Sequence, residues 1–332
     1  MKKTTYIYVL VFFLSALKGF SQDRMINNLD QAPQFINPSY YGFKDPLKLG
    51  LISEFTSSLY GNVSQHQYAY ATTFFEEYDF QLGLDYMSSK VVNGGYSNNK
   101  VNLSYVYKLQ LENDWLFYPG VTAGYVTNRY DYGELVFSDQ IDILTGQVNT
   151  MTTDPVLATD NIGYIDFGVS FMAHNDYNMS FGLAIKHINK PKLTTEIYDS
   201  VLNLGMLFSG QFAYEVNLNR YQQSRLPDYS YLYLFNVVTK QAETTRLDLH
   251  QNLVLSNLYI GLNEHISSLD GPNLFKLGVA AGIKIQSFEI GFNYSFNMGN
   301  STQAVPSSFE LFMAFDLSPF RIRNRKDFSR FY

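Results

Sequence analysis

The chain has 332 residues, enough for one large β domain or two domains of ordinary size. Aromatic residues make up 17% of it and charged residues 16%, against about 25% charge in a typical soluble domain. The net charge of −6 argues against nucleic acid as a partner, and the absence of cysteine excludes disulfides. Beyond residue 20 no apolar run reaches the roughly 18 residues of a membrane helix, so this composition is typical of a transmembrane β-barrel.

Residues 1–21 have the pattern of a secretory signal peptide. Lys2 and Lys3 precede an apolar segment that is too short to span a bilayer, and we predict cleavage before Gln22. Of the 24 basic residues, this removes Lys2, Lys3 and Lys18, which leaves 21 against 30 acidic ones. The mature protein is therefore expected to be more acidic than the full chain.

The next stretch, residues 31–42, reads QAPQFINPSYYG. Its Asn-Pro pair is a turn signal, because proline fixes its own φ and keeps the preceding residue out of the helical region. Its aromatic side chains would be costly to leave in water. We assign it to a periplasmic lead-in of residues 22–46 and predict that it is ordered, at the periplasmic end of the following domain or in its lumen. The residues singled out are Gln34, Phe35, Asn37, Pro38, Tyr40, Tyr41 and Gly42.

From residue 47 to residue 317, apolar residues alternate with polar residues and glycine. Such rows suit a barrel, with lipid on one face and a polar lumen on the other. A soluble β-sandwich has the same period, because one of its faces is also buried, so alternation alone leaves both open. In one example Phe80, Leu82, Leu84 and Tyr86 alternate with Gln81, Gly83 and Asp85; similar rows occupy 101–109, 275–285, 288–296 and 309–317.

The connections between strands favour the barrel. Short periplasmic turns that alternate with longer surface loops are typical of outer-membrane proteins, and only 219–228 breaks this order. We predict an all-β, antiparallel transmembrane barrel of about fourteen strands in the bacterial outer membrane, with both termini in the periplasm. Strands are predicted to start near residues 47, 66, 80, 97, 115, 162, 179, 202, 229, 245, 258, 273, 287 and 307. Tight turns are predicted at 76–79, 110–114, 175–178, 257 and 286, and long breaks at 57–65, 88–98, 128–161, 189–201, 263–272 and 297–306.

These segments, in this order, resemble the PorP/SprF family of outer-membrane proteins. The family opens its mature chain with a pattern like Q-x-P-Q-(F/Y)-x-x-N-P-A-Y-x-G, which residues 31–42 match with Ser39 in place of the usual alanine. Residues 165–169 and 181–187 look like its central strands, and 258–263 and 288–296 like its closing hairpins.

The resemblance implies a non-enzymatic role in type IX secretion and gliding motility. Members of the family dock the periplasmic ring of the secretion machine, or hold a large secreted protein, such as a gliding adhesin, at the cell surface. The expected partners are therefore the C-terminal domain of a secreted surface protein, ring components of the machine and outer-membrane lipid. The sequence does not separate the ring-docking role from the cargo-dedicated one.

No catalytic, cofactor or metal site is predicted. The five histidines are far apart in the sequence, without the spacing of a metal site, and no phosphate-binding glycine loop or nucleophile motif is present. A second function from another class is a channel for small or hydrophobic solutes. A plugged lumen would favour the anchor, and measurable conductance would favour the channel.

Two segments are candidates for partner binding. The long break at 128–161 mixes acids with apolar residues, either as a binding loop or as a lid over the barrel mouth, and its proposed anchors are Leu135, Phe137, Ile141 and Ile143. The tail, residues 318–332, is predicted to lie in the periplasm. It is either a solvated charge run or a docking segment for an acidic partner through Arg321, Arg323, Arg325 and Lys326.

Overall fold

The computed structural model is built almost entirely of antiparallel β-strands. Besides the strands, the residues it describes include short 3-10 turns at Pro33–Phe35, Pro38–Gly42, Glu76–Tyr78 and Ser138–Gln140. It describes residues 23, 25–43, 47–57, 63–92, 95–112, 114–130, 136, 138–142, 145–149, 161–175, 178–193, 203–219, 226–268, 273–298 and 307–317. The strands are β1 Leu47–Ser57, β2 Val63–Phe75, β3 Phe80–Val92, β4 Tyr96–Tyr107, β5 Leu109–Gln110, β6 Trp115–Tyr130, β7 Asn161–Asn175, β8 Met179–Lys186, β9 Leu207–Asn217, β10 Ser230–Gln241, β11 Thr244–Leu255, β12 Leu258–Ser267, β13 Asn273–Ile285, β14 Phe288–Asn297 and β15 Ser307–Asp316.

The strands close into one ring. Each pairs with its neighbours in the sequence, and β1 pairs with β15 from Lys48 opposite Asp316 to Ser57 opposite Ser307. The two-residue β5 continues β4 beyond Lys108, since both pair with β6, so the fifteen segments form fourteen barrel strands. The predicted fold, an antiparallel barrel of about fourteen strands, is confirmed. Closure leaves no unpaired edge among the strands that the structure describes.

No helix among the described residues has the length and apolar character needed to cross a membrane.

The two faces of the wall differ as the alternation predicts. In β3, Gln81, Gly83 and Asp85 are buried against the interior, while Leu84 and Tyr86 are 51% and 42% exposed on the outside. The same outward apolar row continues across the neighbouring strand, where Val101, Leu103, Tyr105 and Tyr107 are exposed. An outward face of leucine, valine and aromatic residues is what contact with lipid requires.

The two ends of the barrel also differ, and we call them the turn side and the loop side. The turn side carries the connections 76–79, 111–114, 176–178, 218–229, 256–257 and 286–287, together with the start of β1 and the end of β15. The loop side carries 58–62, 93–95, 131–160, 187–206, 242–243, 268–272 and 298–306. Outer-membrane barrels keep their short turns in the periplasm, so we expect the loop side to face the cell surface.

One predicted long break is largely wrong. Most of 88–98 belongs to strands, because β3 extends to Val92 and β4 starts at Tyr96. The breaks predicted at 57–65 and 263–272 are shorter in the structure, at 58–62 and 268–272. The cause is the composition of the inward row near the loop side. In a barrel, polar residues such as Ser89 face the interior. In the sequence, a stretch rich in such residues has the composition of a loop.

The lipid-facing role of β3 is testable with Leu84→Arg. We expect the free energy of unfolding in lipid vesicles to fall by about 2–4 kcal/mol, the cost of a cation near the bilayer midplane. Leu111→Arg, at an exposed position in a turn-side connection, is the matched control and should change it by under about 1 kcal/mol. Equal effects of the two substitutions would contradict a lipid-facing Leu84.

Candidate functional site in the lumen

The N-terminal segment fills the interior of the barrel. We call residues 25–43 the plug. Its apolar side chains Ile26, Leu29 and Ile36 are each at most 1% exposed, and its polar side chains Asn28 and Asn37 are fully buried. The segment that the sequence placed either at the periplasmic end or in the lumen thus lies in the lumen.

Local sequence explains the path of the plug. Pro33 and Pro38 each occupy the first position of a 3-10 turn, where the missing N–H of proline costs nothing. Asn37 caps the second turn, since its side-chain oxygen accepts a hydrogen bond from the backbone N–H of Ser39 at 3.0 Å. The Asn-Pro pair therefore sets both the turn and the direction in which the Asn37 amide points.

Residues of the motif at 31–42 hold the plug against strands from β2 to β10. The Asn37 Nδ2 donates to Gln211 Oε1 at 2.8 Å and to the Phe171 carbonyl at 3.0 Å. The hydroxyls of Ser39 and Ser170 are 2.8 Å apart. The aromatic members pack in the same region: the Tyr41 hydroxyl donates to Asp85 at 3.0 Å, Phe35 packs edge-on against Tyr68, and Tyr40 against Phe235.

Close approach explains why a glycine faces the plug in β3. A Cβ at Gly83 would lie 2.3 Å from the Tyr41 ring, so any side chain there would displace Tyr41. Glycine in a strand marks such places, where another group comes near the backbone.

The first half of the plug binds the opposite wall. The backbone N–H of Asn27 donates to Glu310 Oε1 at 2.7 Å, and its Nδ2 donates to Glu54 Oε1 at 3.1 Å. Asp30 accepts from Asn252 Nδ2 at 2.6 Å and lies 3.1 Å from His250 Nδ1. The plug is thus attached to strands around the whole ring, from β1 and β15 through β11 to β3.

The chain crosses the lumen from the loop side to the turn side. Asp23 lies at the loop-side end, where its backbone N–H donates to Gln241 Oε1 at 2.7 Å. At the other end Phe43 packs on His174 near the turn side, with ring centroids 4.7 Å apart. β1 then starts on the turn side, at Leu47.

A charged network ties Asp23 to the loop-side end of the wall. His187, directly after β8, lies 2.9 Å from Asp166 through Nδ1 and 2.8 Å from Asp23 through Nε2. Burial by itself would lower the pKa of His187, but these two carboxylates raise it above its ordinary value of 6.5. Burial would likewise raise the pKa of Asp23, yet the His187 charge and hydrogen bond hold it well below its ordinary value. Lys100 completes the network with a 2.9 Å contact to Asp166.

Beside this network the plug leaves a cavity of about 270 Å³ on the loop side. It lies between Phe35 of the plug and the inner faces of β2 to β8, and it includes Lys100 and Lys186. Leu193 and Leu204, from the connection between β8 and β9, lie along it.

The predicted site residues divide into three groups. All seven motif residues from Gln34 to Gly42 belong to the plug. Ile141 is 45% exposed and forms a β-bridge with Val148. The remaining predicted partner-binding residues lie outside the described residues: Leu135, Phe137, Ile143, Arg321, Arg323, Arg325 and Lys326.

Sequence reasoning missed the polar contacts of Asn27, Asp30, Lys186 and His187. The histidines looked scattered, but four of the five (His66, His187, His250 and His265) are buried on the inner side of the barrel. The signal that could have found them is the alternation itself, which puts His250 and His265 in the inward rows. Within the described ranges, no group of three or more His, Cys, Asp or Glu side chains is placed to hold a metal ion.

The His187 network makes the fixing of Asp23 depend on pH. A raised pKa of His187 in the folded protein gives a stabilisation that is complete below about pH 6.5 and is lost as the pH rises through that raised value. The lowered pKa of Asp23 gives a second stabilisation, which is complete above about pH 3.8 and is lost as the pH falls through the lowered pKa. Asp23 is therefore held best in weakly acidic solution.

We expect hydrogen exchange at the Asp23 amide to accelerate as the pH is raised above neutrality, after correction for the intrinsic rate. His187→Gln should remove this pH dependence, because glutamine does not titrate. His174→Gln, near the turn side, is the control and should leave it intact. A His187→Gln protein with the original pH profile would show that another group controls this contact.

The match to a family of membrane proteins agrees with this architecture. The sequence model of the family "Type IX secretion system membrane protein PorP/SprF" matches residues 18–315. No curated protein matches the chain. Among solved structures, the outer membrane protein Omp33 of Acinetobacter baumannii is 9% identical, with a TM-score of 0.49 over 83% of this chain and 99% of that one. The toluene transporter TodX of P. putida is 11% identical, with a TM-score of 0.45 over 90% and 96%. The KdgM porin is 8% identical, with a TM-score of 0.37 over 81% and 98%. On the family match, the chain belongs to the PorP/SprF family of type IX secretion membrane proteins and is a protein of the bacterial outer membrane.

Proposed function

We propose that this protein is a non-enzymatic anchor that holds the C-terminal region of a secreted surface protein on the loop side of its barrel. The observation that carries the proposal is the plug. A solute channel needs a continuous path through the lumen, whereas here Asn27, Asp30 and Asn37 bind the wall at three different places. These buried contacts favour a rigid platform over an open pore.

The loop side offers the surface for such a partner. Val136, Ile141 and Val148 are 54%, 45% and 54% exposed in the connection between β6 and β7. This connection lies beyond the strand ends, where water rather than lipid is expected, so a partner that covers these side chains would remove apolar surface from water. Asp139 and Asp142 lie in the same connection and would add specificity through charge. Loops on a rigid scaffold are common binding elements.

The turn side suggests a second partner, a periplasmic component of the secretion ring. In the connection between β9 and β10, Tyr229 is 76% exposed and Leu226 is 39% exposed. An exposed tyrosine of this kind is a frequent interface anchor. The basic tail with Arg321, Arg323, Arg325 and Lys326 follows the last strand, so it starts from the same side and would attract an acidic partner.

Deletion of residues 136–154 tests the cargo proposal. We expect the deletion to abolish retention of the secreted surface protein at the cell surface, measured by surface immunolabelling of that protein. Heat-modifiable migration of the barrel on gels should persist, because the deleted residues lie outside the barrel strands. The matched control is deletion of 220–225 on the turn side, which should leave cargo retention intact.

Normal retention by the 136–154 deletion would reject this connection as the binding element. Loss of retention in both deletions, with both barrels folded, would show that the loop side is not the specific site. Conductance of the unmodified protein in planar bilayers, at the level of an open pore, would favour the channel instead.

A further inference from the structure

The loop-side cavity beside the plug has the features of a ligand site. Its volume of about 270 Å³ is near the lower end of the roughly 300–1,000 Å³ usual for small-molecule sites. It has apolar walls, to which Met87, Val91 and Val126 contribute. It also has a charged part, where Lys100 and Lys186 come from different strands. An apolar body and a charged head are therefore the two parts of a ligand that would fit.

The ammonium group of Lys186 is the feature that indicates an anionic ligand. Its Nζ donates to the backbone carbonyl of Phe35 and lies 5.0 Å from the centre of the Phe35 ring. Within the part of the chain that the structure describes, no carboxylate is within ion-pair distance of this ammonium. A cation in a protein interior without a direct ion-pair partner is unfavourable, so an anion in the cavity would be stabilised there.

The acids around the cavity are already engaged. Lys100 is paired with Asp166 at 2.9 Å. The carboxylates and their partners are Asp166 with His187, Asp23 with His187, and Asp85 with Tyr41 and Asn102. The charges of the carboxylates around the cavity are therefore offset by hydrogen-bond donors. The Lys186 ammonium, in contrast, donates to a neutral carbonyl, so its charge is available to an incoming anion.

A second and independent feature points the same way. The Ser89 side chain lines the cavity and the residue is only 6% exposed, yet its Oγ has no hydrogen-bond partner among the described residues. Buried hydroxyls in folded proteins nearly always have partners, so this one is a donor left for a bound group. Lys186 and Ser89 thus provide donors from different sides of one cavity.

We propose that this cavity binds a carboxylate group carried by a small apolar body, with Lys186 as the counter-charge and Ser89 as a further donor. The carboxylate is either that of a free organic acid or that of a peptide C-terminus. Neither the site nor its test depends on the cargo proposal, because binding of a small acid is measured on the purified protein alone.

The test is calorimetric titration of the full-length protein in detergent micelles with N-acetyl-leucine and with N-acetyl-leucinamide. The two probes have nearly the same shape, and only the first has a carboxylate. We expect the acid to bind and the amide to bind at least about tenfold more weakly, since a charge-assisted hydrogen bond contributes on that order. Equal affinities, or no binding of the acid, would overturn the proposal.

Variants locate the site. Lys186→Met should abolish binding of the acid, and Ser89→Ala should weaken it, while both keep heat-modifiable migration. Lys240→Met, the same change at an exposed position near the loop side, is the control and should bind like the original protein. Unchanged binding by both Lys186→Met and Ser89→Ala would place the acid elsewhere and overturn the assignment. Because the two probes are compared on the unmodified protein, the test holds even if one variant fails to fold.

A further pair of probes identifies the source of the carboxylate. A ten-residue Gly-Ser peptide that ends in leucine is titrated with a free and with an amidated C-terminus. If the free peptide binds like N-acetyl-leucine, the ligand is a chain end; if only N-acetyl-leucine binds, it is a free acid. Both results support carboxylate binding and differ only in the source. Equal binding of the two peptides together with equal binding of the two small probes would overturn it.

Discussion

A closed barrel must satisfy the polar side chains of its own inner face, and in this protein the N-terminal segment supplies partners for several of them. Inward rows bring Asp85, Gln211 and Asn252 into a lumen that the plug fills, where a polar group without a partner costs free energy. Each of these three accepts from or donates to a plug residue at 3.0 Å or less. Wall and plug therefore form one unit, because these buried wall groups have partners on the plug.

This dependence determines where a ligand or partner can act. The plug binds β1, β11 and β15 through Asn27 and Asp30 and leaves a cavity against β2 to β8 on the loop side. The same side carries the connections 131–160 and 187–206. A filled lumen with space and loops on the loop side is the basis of the anchor role proposed for this member of the PorP/SprF family.

The fold was largely predictable from the sequence, and the site was not. Alternation of apolar and polar residues with a period of two can be recognised within a single strand. The inward positions of Gln81 and Asp85 and the fourteen strands therefore follow from it. The errors at 88–98 came from polar inward residues that have the composition of loops. The motif at 31–42 predicted order near the barrel, but its contacts join residues far apart: Asn37 and Gln211 are separated by 174 positions. No local pattern encodes such a pairing, and the same holds for Lys186 and Phe35.

The central claim, that the plug occupies the lumen, is tested most directly by cross-linking. The hydroxyls of Ser39 and Ser170 are 2.8 Å apart, and the natural chain has no cysteine, so Ser39→Cys with Ser170→Cys creates the only pair of thiols. The account predicts that this double variant forms an intramolecular disulfide in intact outer membranes, detected by mass spectrometry, and that each single variant does not. Two free thiols in the folded double variant, both reactive toward a water-soluble maleimide, would contradict it.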